Sequence, residues 1–77
     1  MMNDEEFLTS VGFRIRKVRK DEGINQTRLA ELCTFDKASL SRIESGKTNL
    51  TALTLKKIGD ALSVSVSEFF KDGIAIK

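Results

Sequence analysis

A chain of 77 residues is expected to fold as one domain spanning residues 1–77, with no length for a separate sensor or catalytic domain. Its single cysteine rules out an internal disulfide, and the absence of histidine removes an ordinary His/Cys zinc site and an enzyme's usual general acid–base. The net charge of +2 is unevenly spread: residues 1–13 hold three acids and no base, residues 14–57 carry a net +6, and residues 58–77 a net −1.

A basic middle between acidic flanks suits a surface facing a polyanion, and on charge alone it fits an ordinary solvated helix face equally well. Proline is absent and good helix formers abound, so the elements read as helices. In the first, from about Asp4 to Asp21, Phe7, Val11, Ile15 and Val18 recur at steps of 4, 4 and 3, one face of a 3.6-residue period. Its acids Asp4, Glu5 and Glu6 sit at the N-terminal end and its bases Arg14, Arg16, Lys17, Arg19 and Lys20 towards the other, as the helix dipole favours. One member of that basic run is a candidate for meeting a phosphate; most of it reads as solvated surface. Gly23 ends the helix.

Asn25 caps a second helix, Gln26 to Cys33, whose apolar face is Leu29, Ala30, Leu32 and Cys33. Asp36 caps a third, Lys37 to Glu44, with Phe35 and Leu40 placed for a hydrophobic staple and Leu40 and Ile43 pointing inward. The stretch Ser45 to Asn49 is turn-forming. A fourth helix runs from near Thr51 to near Leu62 and buries Leu55, Ile58, Ala61 and Leu62. After Ser65, whose spacing to Glu68 reads as a capping box, a short fifth helix places Val66, Phe69 and Phe70. Five short helices with brief connections predict a compact all-α domain. The start of the chain does not read as a signal peptide and no apolar run is long enough for a membrane helix, so a cytoplasmic protein with no membrane contact is expected.

The informative stretch is 26–45. Counted from Gln26, apolar residues fall at places 4, 8, 10, 15 and 18, with alanine at place 5. Two helices crossing steeply need a small residue where their backbones approach, here Ala30. They also need larger apolar residues to lock the turn, here Leu29, Cys33, Phe35, Leu40 and Ile43. What remains on the third helix is an outward face of Lys37, Ala38, Ser41 and Arg42, small, polar or basic, which a DNA major groove can admit.

Four segments carry a resemblance in order along residues 11–70: Gly12-x-x-Ile15-Arg16-x-x-Arg19, Asn25-Gln26-x-x-Leu29-Ala30, Leu40-Ser41-Arg42-Ile43-Glu44-x-Gly46 and Thr54-Leu55-x-x-Ile58-x-x-Ala61-Leu62. With them the chain resembles the phage repressor/Cro-type helix-turn-helix family, also called xenobiotic-response-element-like regulators. Its Ser-Val-Ser-Glu-Phe-Phe ending resembles restriction–modification controller proteins. The resemblance implies a lambda-repressor-like domain with its helix-turn-helix at 26–45 and a dimerisation region at about 50–77. It implies base contacts by Lys37, Ala38, Ser41 and Arg42. Arg42 is the best candidate for a bidentate bond to guanine, because its planar fork matches O6 and N7. Asn25, Gln26, Arg28, Ser45, Lys47, Thr48 and Asn49 would meet the DNA backbone, helped at Gln26 by the helix N-terminus. Arg19 and Glu44 match positions that form a structural salt bridge.

Thr34 and Ser63 stand where relatives often have glycine, and Arg28 where they favour an acid. A β-branched residue at positive φ would be strained, so the turn at Thr34 is expected to adjust or to carry a modest cost. Phe69, Phe70, Ile74 and Ile76 offer more apolar surface than a monomer of this size needs, so they are assigned to a homodimer interface. The expected partners are double-stranded DNA, a second copy and RNA polymerase, the last through Asp4, Glu5 and Glu6 or Glu68 and Asp72. No cofactor, metal or catalysis is expected, and Cys33 reads as a core residue. The competing reading is a protein-interaction module, an antitoxin or adaptor, which should expose a larger apolar patch on the third helix.

Overall fold

Asn3, Asn25, Asp36 and Thr51 each present a side-chain oxygen to the backbone N–H three residues on, and a helix begins after each. In the computed structural model, which describes residues 2–70, these are α1 (Asp4–Asp21), α2 (Gln26–Cys33), α3 (Lys37–Glu44) and α4 (Ala52–Leu62). At Asn3 the cap is reciprocal, because the Glu6 carboxylate accepts from the Asn3 N–H in return. That box is spelled by Asn3-x-x-Glu6 in the sequence. No strand occurs among the described residues.

The fifth helix is corrected. Val66–Phe69 forms a single 3-10 turn, closed by the Glu68 N–H on the Ser65 carbonyl at 3.0 Å. The Ser65 hydroxyl accepts from the Ser67 N–H at 3.2 Å, not from Glu68 as the capping-box spacing implied. Four residues make too few bonds to repay nucleating an α-helix. The turn is held instead by α1: Arg14 Nε donates to the Glu68 carbonyl at 3.1 Å, with its guanidinium 3.8 Å from the Glu68 carboxylate.

One core joins every element. Val11, Ile15 and Val18 of α1 meet Leu29, Ala30 and Cys33 of α2, Leu40 and Ile43 of α3, Ile58 and Leu62 of α4, and Phe69. Each large side chain taken from water contributes about 1.5–3 kcal/mol. Leu55, Ala61, Phe35 and Val66 are partly buried against this cluster. Leu32 is a correction: it is 43% exposed, because Leu29 and Cys33 already fill the inward side of α2. Phe7 is also outside the core and stacks on Phe70, ring centroids 6.0 Å apart.

Two local features set the position of α3. Gly12 lies where α1 passes the end of α3, and a Cβ there would sit 2.7 Å from the Glu44 carbonyl oxygen, so only glycine allows this approach. Thr34 ends α2 in the left-handed region at φ 57°, with its hydroxyl donating to the Cys33 carbonyl. The turn is therefore not adjusted away from positive φ. It carries the cost of a β-branched residue there, about 1–2 kcal/mol.

Candidate nucleic-acid interface

The eight residues of α3 divide cleanly by exposure. Leu40, Ile43 and Glu44 are buried, while Lys37, Ala38, Ser39, Ser41 and Arg42 are exposed, and Lys37, Ala38, Ser41 and Arg42 share the side opposite the core. No large apolar side chain stands among those four. At the helix start the Ser39 backbone N–H, bonded to Asp36 at 2.7 Å, and then the Ser39 hydroxyl hold the Asp36 carboxyl below its usual value.

Beneath α3 lies a buried polar network. Arg19 meets Glu44 through two parallel bonds, Nε to Oε2 at 2.7 Å and an Nη2 contact to Oε1 at 3.0 Å, with side chains 9% and 4% exposed. Its remaining nitrogen donates to the Ile24 carbonyl at 3.0 Å. The Gln26 side-chain amide donates to Glu44 Oε1 at 3.1 Å. The network therefore ties α1, the start of α2 and the end of α3 together, and leaves no described buried side-chain polar atom unbonded.

The remaining candidate residues are spread around α3 and the start of α2. Gln26, Ser41 and Ser45 line a polar cup of about 380 Å³ with Arg16, Arg19 and Glu44. Arg42, Thr48 and Asn49 line a shallow cleft of about 260 Å³ between α3, the following loop and Thr54. Lys47 is exposed beyond the C-terminal end of α3, its N–H bonded to the Arg42 carbonyl at 2.9 Å. Asn25 is exposed and uses its side-chain oxygen on the Arg28 N–H at 2.8 Å. Arg28 is exposed and 3.4 Å from Glu31.

Among the proposed interface residues, Phe69 is corrected: it is 0% exposed, pinned in the core between α1 and α4, and offers no surface to a partner. Phe70 is 47% exposed. Ile74 and Ile76 lie outside the described residues. Cys33 is buried, which pushes its thiol up, with Lys57 acting the other way, so it is a poor nucleophile.

The bases of α1 are not equivalent. Arg14 is held by Glu68, Lys17 by Asp21 and Arg19 by Glu44, while Arg16 is exposed at the edge of the cup.

A family model described as helix-turn-helix matches residues 15–69. The HTH-type transcriptional regulator PuuR of Escherichia coli (strain K12) is 34% identical over 71 residues, covering 92% of this chain and 37% of that protein. The chain thus spans little more than a third of that relative. Control protein C.MunI of Mycoplasma sp is 34% identical over 62 residues, covering 79% of this chain and 84% of that protein. The crystal structure of the restriction-modification controller protein C.AhdI from Aeromonas hydrophila superposes with a TM-score of 0.79 at 30% identity, covering 82% of this chain and 96% of that one.

Proposed function

This chain belongs to the Cro/C1-type helix-turn-helix family, and on that premise we propose that it is a sequence-specific DNA-binding transcriptional regulator acting as a homodimer on a palindromic operator. The observation that carries the reading is the exposed face of α3, polar and basic, mounted on the buried Arg19–Glu44–Gln26 network. A helix read by base edges must be held rigidly, because a hydrogen bond loses most of its value with poor alignment.

In this reading α3 enters the major groove. Arg42 presents its fork to guanine, Lys37 and Ser41 offer donors beside it, and Ala38 is small enough to let the helix approach. Asn25, Gln26 and Arg28 at the start of α2, and Ser45, Lys47, Thr48 and Asn49 after α3, meet phosphates and fix the register. Exposed Leu53 on α4 and Phe70 after the 3-10 turn supply apolar surface for a two-fold contact. Such a dimer sets two α3 helices about 34 Å apart, one turn of the duplex. Occluding a promoter and recruiting RNA polymerase through the acidic start of α1 are both compatible with this arrangement.

Selection from a random duplex pool, with sedimentation of the free protein at micromolar concentration, tests the reading. It predicts an enriched inverted repeat and a dimeric mass. Binding that fades with salt and enriches no sequence contradicts it, and points α3 towards a protein partner.

A further inference from the structure

An apolar cleft of about 450 Å³ opens between the first turns of α1, the loop before α4 and the end of the 3-10 turn. Phe7, Leu8, Leu50, Leu55 and Phe70 wall it, and Asp4 stands at it as an exposed anion. Phe7 and Phe70 stack on one another, yet each is left 47% exposed. Asp4 pairs with no cation among the described residues. Neither a base contact nor a phosphate contact calls for Phe7, Leu8 or Leu50 here.

Phe70 is both a wall of this cleft and the last described residue, and Lys71-Asp72-Gly73-Ile74-Ala75-Ile76-Lys77 follows it directly. Asp-Gly is a turn-forming pair, suited to sending the chain back towards the wall it has just left. In an extended stretch beyond that turn, Ile74 and Ile76 lie on one side. Ile76 stands six residues past Phe70, a reach of about 20 Å. Lys71 and Lys77 flank the two isoleucines and complement the charge of Asp4.

We infer that this segment seats on the cleft of its own protomer, with Ile74 and Ile76 against the apolar walls. Only three residues separate Ile74 from Phe70, so its effective concentration at the cleft is roughly millimolar. The same segment of a second copy in micromolar solution is about a thousandfold more dilute. Ile74 and Ile76 thus leave the homodimer interface to which the sequence assigned them. The two-fold contact then draws on Leu53 and on the part of Phe70 that the segment leaves uncovered.

Thermal melting followed by circular dichroism, with sedimentation of the same samples, tests this on four chains. They are wild type, Ile74→Ser with Ile76→Ser, Phe7→Ser, and the three changes together. Phe7 is half-exposed and outside the core, so Phe7→Ser keeps the fold. The double isoleucine variant is expected to melt about 4–8 °C below wild type, by the same amount at low and high micromolar concentration, and to keep the wild-type mass. On the Phe7→Ser background the same two changes should cost clearly less, because the seat is already damaged. An unchanged melting temperature in the double variant overturns the inference. So does an equal drop on both backgrounds, which would put the segment elsewhere. A double variant that loses the wild-type mass also overturns it, because the occupant would then be a second copy.

Discussion

Arg19 and Glu44 lie 25 positions apart in the chain and meet in two parallel hydrogen bonds inside the domain. A buried pair of this kind contributes little net stability against an apolar replacement, yet removing one partner strands a charge and costs about 3–5 kcal/mol. A core of this size supplies only about that much. Arg19→Met is therefore expected to leave the domain largely unfolded at 25 °C by circular dichroism, while Arg19→Met with Glu44→Leu recovers most of the helix signal. Equal loss in the single and double variants would contradict this account. Single residues also show where sequence falls short. Phe69 and Phe70 are neighbours of one type, and only the path of the 3-10 turn decides that Phe69 is fully buried while Phe70 is half-exposed. The bond from Gln26 to Glu44 spans 18 positions, and nothing local signals it.

At the scale of elements, helix starts were the most legible feature, because a cap is chemistry contained within four residues. Asn25 and Asp36 cap their helices as the sequence predicts, and Thr51 caps α4, which begins at the next residue, in keeping with a start near Thr51. The fifth helix misled because its Ser-x-x-Glu spacing promises a cap that four residues cannot turn into an α-helix. The cap of α3 makes a testable statement about pH. The Asp36 carboxyl is held below its ordinary value of 3.8, so ionisation favours the fold. Its contribution is fully present above that value and is lost as pH falls through the lowered one. Asp36→Asn keeps a capping oxygen without the titration. Its melting temperature should therefore fall less than that of wild type between pH 5 and about pH 3. Parallel curves for the two proteins would show that the cap does not act through the carboxylate.

For the whole molecule, the apolar periodicity of stretch 26–45 was enough to place two crossing helices and their outward face, because burial and exposure alternate with helical period there. The elements that stabilise this unit from a distance were less legible. The approach of Gly12 to the end of α3, and the tether from Arg14 to the 3-10 turn, depend on contacts between segments far apart in the chain. The Gly12 approach lets α1 pack against the end of α3, and Arg42 stands exposed on the outer face of that helix. The central claim is that this face reads bases, and Arg42→Ala tests it most directly. Arg42 is exposed, so the variant should fold as wild type does. Sequence selection from a random duplex pool is run with both proteins at the same salt. The account predicts that the variant relaxes one position in each half of the inverted repeat, with guanine lost there and the other positions kept, at a cost of about 1–3 kcal/mol per site. An unchanged preference at every position, with only uniformly weaker binding, would contradict base readout by Arg42 and reduce it to a phosphate contact.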